Sequence, residues 1–191
     1  MLTQLSTVKA RLAIVVATYD AILANAIKGV SARFDKECNR TLARTVALTA
    51  EFPANDTEIS VPCYPIETVT KFELKSNETE GWVEQASTEY LLRRACVISL
   101  TQSLGTFREQ ARVTFTGGYV LPGDTVGAGQ TALPDDLEQA AVEQVASWFQ
   151  TRDMLGLVRN RPWQGDYQQF AQLDLLLNVK AVLKRYERWA L

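Results

Sequence analysis

The sequence predicts an α+β fold in which helices flank a central region of antiparallel strands. Apolar residues recur at helical spacing in residues 5–39, and the helical period returns from residue 134 onward. Between them, residues 44–119 contain short runs in which apolar and polar residues alternate, separated by turn residues. A chain of 191 residues is long enough to bury one real core. We therefore expect a single domain over 1–169, followed by a distinct C-terminal segment over 170–191.

Two helices joined by a short non-helical segment are predicted in residues 5–39. The apolar positions that share the helical spacing are Leu5, Val8, Leu12, Ile22, Leu23, Ile27, Val30 and Phe34. Ser6 or Thr7 is the candidate cap of the first helix and Asp20 of the second, because their oxygens can accept free first-turn N–H groups. The β-branched residues within 15–19 favour a joint there, since branching at Cβ suits a helix poorly.

The central region is predicted to be an antiparallel meander. Its strand-like runs are TVALTAEF, EISV, VTKFEL, EYLL, CVISL and ARVTFTGGY, each with β-branched or aromatic residues. Turns such as PAND and KSNETEG separate them. Pro62 and Pro65 should interrupt pairing around Cys63 and Tyr64, because proline cannot donate to a strand ladder.

A long helix is predicted over residues 134–155. Pro134 suits a first helical position, and the acidic residues that follow complement the positive end of the helix. Trp148 and Phe149 fall on its apolar face, which predicts that they belong to the core.

The C-terminal segment, residues 170–191, is amphipathic. Its basic residues, Lys180, Lys184, Arg185 and Arg188, lie among apolar positions. Chain ends usually fray unless they are held, so a terminus this rich in Leu, Tyr and Trp is expected to bind its own core or a neighbouring chain.

Composition excludes several kinds of chemistry. The chain has no histidine, which removes histidine-based triads, histidine metal ligands and the commonest general base. Its three cysteines, Cys38, Cys63 and Cys96, form no C-x-x-C pair, so neither a zinc site nor a disulfide framework is expected. The net charge of −2 provides no basic field to recruit nucleic acid.

No stretch reaches the length of a membrane span, and Asp20 interrupts the one signal-like run, so we expect synthesis in the cytosol.

The loop over residues 119–133 matches two nucleotide-binding patterns, and neither has its required context. G-x-x-x-x-G-D-T carries Asp124 where a phosphate loop needs lysine, and this charge would repel the ligand. G-x-G-x-x-A does not turn directly from a parallel strand into a helix. The loop is therefore interpreted as a connector, whose length suggests that it contacts something.

Acid–base catalysis by paired carboxylates is the remaining enzymatic hypothesis. The central region contains Glu67, Glu73, Glu78, Glu80, Glu84 and Glu89, several of them in turns. Solvated charge explains them better than a catalytic pair, because nothing places two carboxyl groups in one pocket. We expect no enzyme and no cofactor, with a small hydrolase as the alternative.

In the order of its segments, the chain resembles the head–tail connector proteins of tailed bacteriophages, also called adaptor or head-completion proteins. STVKARLAI and YDAILANAIKGVSARFDKECNRTL resemble their opening helices, and ISVPCYPIETVTKFEL resembles a proline-centred strand pair. STEYLL and ARVTFTGGY resemble later strands, LPDDLEQAAVEQVASWFQTRD the following helix, and LLLNVKAVLKRYERW the C-terminal segment. The resemblance covers nearly the whole chain. The loop over 119–133 and the β region are both larger than this family leads one to expect.

The resemblance implies a structural virion protein of the phage neck, assembled in the host cytoplasm. It implies a ring of copies, typically twelve, beneath the portal protein, which extends the DNA channel and docks a stopper or tail-completion protein. DNA would pass without sequence-specific binding, and no membrane is involved. Portal contacts would come from the C-terminal segment, at Leu176, Val179, Val182, Leu183, Tyr186, Trp189 and Leu191. The long loop, with Tyr119, Val120, Leu121, Asp124 and Val126, would face a neighbouring subunit, the channel or the tail.

Two other kinds of protein remain open besides the hydrolase. One is another ring-forming neck or tail-completion protein, such as a stopper or tail terminator, although the helices at both ends favour the adaptor. The other is a generic interaction module of a bacterial host.

Overall fold

A computed structural model of the chain describes residues 1–152 and 174–188. It has helices and antiparallel sheets, which confirms the α+β prediction. The predicted boundary between residues 169 and 170 lies outside the described residues and stays a prediction.

The chain divides into two compact units. Met1–Phe34 and Pro134–Tyr186 form a helical unit, and Asp35–Leu133 and Glu187–Leu191 form a β unit. Each unit therefore combines segments that are distant in the sequence.

The described helices are α1 (Leu5–Leu12), α2 (Asp20–Glu37), α3 (Asp135–Gln150) and α4 (Leu177–Leu183). A 3₁₀ turn at Ala17–Tyr19 lies between α1 and α2, which confirms the predicted joint. The helix predicted over 134–155 is shorter than expected, because α3 ends at Gln150. Within the described part of the predicted C-terminal segment, α4 covers seven residues.

The capping predictions for α1 and α2 were wrong. Ser6 lies inside the first turn of α1, where its hydroxyl donates to the Gln4 side chain at 3.3 Å. The cap position of α1 is Gln4, which makes no side-chain cap bond. Asp20 already has helical dihedral angles because the 3₁₀ turn leads directly into α2, and it forms an ion pair with Lys9 at 2.7 Å instead. Pro134 precedes α3 by one residue rather than opening it.

The predicted apolar faces of the helices supply most of the core of the helical unit, but Leu5 and Leu12 are only half-buried and Ile22 is 49% exposed. α2 buries Leu23, Ile27, Val30 and Phe34, and α3 packs against both α1 and α4. Phe149 is buried, with the Tyr19 ring edge-on at 5.3 Å between centroids, as its position on the apolar face predicts. Trp148 is half-buried against Gly29.

The β unit contains two antiparallel sheets and a two-stranded parallel ribbon. Its strands are β1 (Thr45–Pro53), β2 (Glu58–Ser60), β3 (Ile66–Lys75), β4 (Val83–Glu84), β5 (Tyr90–Arg93), β6 (Val97–Leu100), β7 (Gln110–Gly117), β8 (Tyr119–Val120) and β9 (Thr131–Ala132). The sheet orders are β1-β7-β3-β4 and β2-β6-β5, and the ribbon pairs β8 with β9. As the two prolines predict, no strand covers residues 62–65; a single bridge joins Thr41 to Cys63.

The antiparallel pairing is confirmed, but its connectivity is not that of a meander. β7 lies between β1 and β3, although it follows both by many residues. It is buried along nearly its whole length, so burial favours the centre of the sheet for it. Alternation identifies strands without saying which of them pair, and this is why the order was missed.

The two antiparallel sheets share one core. Its buried residues come from both sheets and include Phe52, Ile59, Phe72, Ile98, Val113 and Phe115. The sheets therefore pack face to face as a small sandwich.

Candidate assembly surfaces

The C-terminal helix α4 is anchored to the chain's own core. Val179 and Leu183 are almost fully buried where α4 packs on α3. The side-chain oxygen of buried Gln144 accepts the Leu176 N–H at 2.8 Å, and Tyr186 donates its hydroxyl to Asp136 at 2.6 Å. These contacts hold both ends of α4.

The predicted portal-binding residues therefore have different environments. Leu176, Val182 and Tyr186 are half-buried, so part of each side chain remains accessible, whereas Val179 and Leu183 are used internally. Trp189 and Leu191 lie outside the described residues.

Sequence reasoning missed Leu177, the most exposed large apolar residue of α4. Its side chain is 85% exposed. Leu175, Leu176 and Leu177 are consecutive, and helical spacing turns successive side chains by about 100°, so they cannot all face one core. That run of three leucines was the available signal.

The loop over 119–133 has a buried base and an exposed tip. Tyr119 and Val120 are buried, so their side chains belong to the β unit's interior rather than to an exposed surface. The backbone of Tyr119 exchanges hydrogen bonds with the segment before β1, donating to Leu42 and accepting from Arg44, both at 2.8 Å. Asp124 and Val126 are exposed and Leu121 is half-buried, so the prediction of a partner contact narrows to these three residues.

The loop lacks the geometry of a nucleotide site. It leads into β9 and not directly into a helix, and the Gly127 N–H is already bound by the Gln130 side chain at 2.9 Å. Both features agree with its interpretation as a connector.

At the base of the loop, Arg40 is buried next to two aromatic rings, those of Tyr64 and Tyr119. Its guanidinium stacks on Tyr64, 3.2 Å from the ring centroid, and lies 5.3 Å from the centroid of Tyr119. The same guanidinium donates to the Tyr64 carbonyl. This cluster fixes the base of the long loop to the segment between β2 and β3, and no sequence motif predicted it.

Two carboxylates of the predicted acidic set, Glu73 and Glu67, form ion pairs with arginines in the β unit. Arg112 binds Glu73 through two hydrogen bonds of 2.7 and 2.9 Å, and Arg44 binds Glu67 in the same way. Hydrogen bonds from Arg112, and then from Lys71, lower the pKa of Glu73 to about 2. An acid that stays ionised in a bidentate ion pair is poorly suited to donate a proton at neutral pH.

The remaining members of the acidic set are at the surface. Glu78, Glu80, Glu84 and Glu89 are exposed, and Glu78 pairs with Lys75 at 2.6 Å. Within the described residues, no group of three or more Cys, Asp or Glu side chains is arranged to hold a metal ion. None of the described helices is both long and apolar enough to cross a membrane.

The fold is similar to that of two solved particle structures. One is a chain in the neck of an empty gene transfer agent (GTA) particle, computed with C6 symmetry: the TM-score is 0.59 at 16% identity, covering 98% of this chain and 90% of that one. The other is a chain in the virion of a native gene transfer agent particle, with a TM-score of 0.54 at 20% identity over 92% of this chain and 81% of that one. No protein-family model matches the chain, and no curated protein matches its sequence. At these identities the likeness shows the fold.

Proposed function

We propose that this chain is a structural, non-enzymatic protein of a phage neck, where it acts as the adaptor beneath the portal. The observation that carries the proposal is a fold shared over nearly the full length of a neck chain in a gene transfer agent particle. In this role the chain extends the DNA channel of the virion and docks a stopper or tail-completion protein.

The adaptor is proposed to form a ring. The similar neck was computed with C6 symmetry, and a ring of twelve copies also contains a six-fold axis. In a closed ring every copy uses two different surfaces, one for each neighbour. Exposed apolar residues in the β unit, such as Leu91 and Leu92, provide surface of the kind that subunit contacts bury.

Portal binding is proposed for the exposed side of α4. Val179 and Leu183 attach the helix to α3, which leaves Leu177 and the accessible parts of Leu176 and Val182 for a partner. A helix whose buried side is already satisfied can offer its other side as a rigid surface, with little ordering cost on binding. Trp189 and Leu191 remain predicted contacts.

The tip of the long loop is proposed to face a neighbouring subunit, the channel or the tail. Asp124 and Val126 are exposed there, while the Arg40 cluster holds the loop's base. A net charge of −2 suits a conduit, because extended basic contacts would bind the phosphates of the passing DNA.

Electron microscopy of cognate portal rings mixed with the purified chain tests the proposal. We expect an added ring beneath the portal with the wild-type chain and with Phe107→Asp, and a loss of binding with Leu177→Asp. Phe107 is the matched control, because it is also a large exposed apolar residue but lies in the β unit. These substitutions are preferable to truncation before residue 170, which would also remove buried Val179 and Leu183.

Each outcome has a definite meaning. Normal binding by Leu177→Asp would move the portal contact away from α4 and keep the adaptor role. No added density from the wild-type chain, on portals or on filled tail-less heads, would refute the adaptor role and favour a stopper or tail terminator.

A further inference from the structure

The edge strand β5 exposes apolar side chains to an unusual degree. Tyr90, Leu91 and Leu92 are 36, 69 and 40% exposed, and all four residues of the strand are at the surface. β5 pairs only with β6, so among the described strands its other edge has no partner. It therefore presents free backbone N–H and C=O groups beside apolar side chains.

The register shows that the sandwich is open at this edge. Tyr90 lies opposite Leu100 and Leu92 opposite Ile98, and residues that face each other across antiparallel strands point to the same side. Leu100 and Ile98 are buried in the shared core, so Tyr90 and Leu92 also lie on its inner side. They stay exposed because no further strand covers the core beyond β5.

The other edges of the two sheets carry features that discourage pairing. β1 contains an irregularity between Thr45 and Leu48, with Ala47 at a φ of 54°, and it ends on Pro53. β4 has two residues, and β2 has three. The Ser60 carbonyl at the end of β2 accepts a hydrogen bond from Arg188 at 2.9 Å. Bulges, proline and shortness are the usual protection of sheet edges, and β5, although short, combines an apolar surface with no bulge or proline.

We infer that β5 is a subunit contact of the ring, covered by a second copy of this chain. The inference rests on the proposed function, because it takes its partner from the ring. In a ring with a single rotation axis, such as the C6-symmetric neck with a similar fold, neighbouring copies bind each other through two different surfaces. Each copy therefore presents one surface that is covered by a different surface of the next copy. β5 has the properties of such a surface: it is apolar, it has an unpaired strand edge, and it extends for roughly 14 Å, the length of four extended residues.

The contact is proposed to combine burial of the open core with backbone hydrogen bonds to the free edge of β5. Backbone hydrogen bonds to β5 would supply affinity, and the side chains of Tyr90 and Leu92 would be covered at the same time. Leu91 points to the opposite side, with Ser99, and would be buried against the neighbouring copy. A substitution at Leu91 therefore reports on the contact without disturbing the chain's own core.

Site-specific photo-crosslinking tests the inference in assembled rings on portals. A benzophenone amino acid replaces Leu91 in one version of the chain and Phe107 in a matched version. We expect covalent dimers and higher multimers of the chain from position 91 when it is bound to portal rings, at several times the yield from position 107. In parallel, Leu91→Asp should weaken ring assembly by roughly tenfold or more, because it would bury an unpaired carboxylate, while circular dichroism shows an unchanged fold.

Three results would overturn the inference: cross-links from position 91 to the portal or to a tail protein, equal yields from positions 91 and 107, or intact rings without any cross-link from position 91. The crosslinking experiment does not use the Leu91→Asp variant, so it tests whether β5 is a subunit contact even if that variant misfolds. Absence of any ring on the portal with the wild-type chain would instead refute the proposed function, and the inference with it.

Discussion

Truncating Leu183 to alanine tests whether α4 belongs to the folded core or is mainly a docking element. The Leu183 side chain is only 3% exposed, and it lies with Val179 where α4 packs on α3. Leu177, in the same helix, is 85% exposed and is the matched control. The two substitutions remove the same atoms from the same seven-residue helix, so helix propensity changes equally in both.

Burial decides the expected magnitudes. Removing a buried leucine side chain costs about 2–5 kcal/mol, and α4 is short enough to relax partly, so we expect about 3 kcal/mol for Leu183→Ala. Leu177→Ala should change the free energy of unfolding by no more than about 0.5 kcal/mol. If α4 opens locally, 3 kcal/mol corresponds to a rise of roughly 100-fold in the open population.

Two measurements give these quantities. Urea unfolding measures the global free energy of unfolding. In thermal unfolding of a chain of this size, a loss of 3 kcal/mol should lower Tm by roughly 6–12 °C. Because the chain has two compact units, its unfolding need not be two-state, so amide hydrogen exchange in α4 is the more direct assay. Equal effects of the two substitutions, or a cost below about 1 kcal/mol for Leu183→Ala, would refute the argument that Leu183 anchors α4.

Three further predictions concern the β unit. Folding lowers the Glu73 pKa from its ordinary value of 4.5 to about 2, so this stabilisation is present above pH 4.5 and is lost as the pH falls toward 2. Glu73→Gln should therefore show a weaker loss of unfolding free energy over that interval, and an unchanged slope would contradict the ion pair. Gly118→Ala should destabilise by at least roughly 2 kcal/mol in urea unfolding, because Gly118 has a φ of 104° and an added Cβ would lie 2.7 Å from a backbone carbonyl oxygen; a neutral effect would show that the segment adjusts. Burial raises the pKa of Cys38 to about 11 and also raises that of Cys63, so a thiol reagent should modify Cys96 first and the other two only on unfolding; fast reaction of all three would disprove their burial.

The helices show which structural features a local sequence pattern can predict and which it cannot. The 3.6-residue period predicted α1, α2 and α3, because an amphipathic helix records its buried face in its own sequence. The caps were wrong because the dihedral angles of Ser6 and Asp20 depend on how the preceding turn enters the helix. The burial of Phe149 was predicted from its position on the apolar face of α3.

The candidate surfaces depend more strongly on tertiary structure. An apolar residue has the same sequence signature whether it covers its own core or binds a partner, so the pattern could not show that Val179 is internal while Val182 stays partly accessible. The open edge at β5 is likewise invisible in the run EYLL, because exposure there depends on which strand is last in the sheet.

By itself, the sequence determined the α+β class, the approximate position of the helices and strands, and the absence of histidine chemistry. These are local or compositional properties, which neighbouring residues encode without reference to the rest of the chain. Tertiary structure alone decided that β7 occupies the centre of its sheet, that Arg40 fixes the base of the long loop, and that Tyr119 and Leu183 are internal. Those outcomes follow from contacts between residues far apart in the sequence, where the burial of one segment depends on which other segment packs against it.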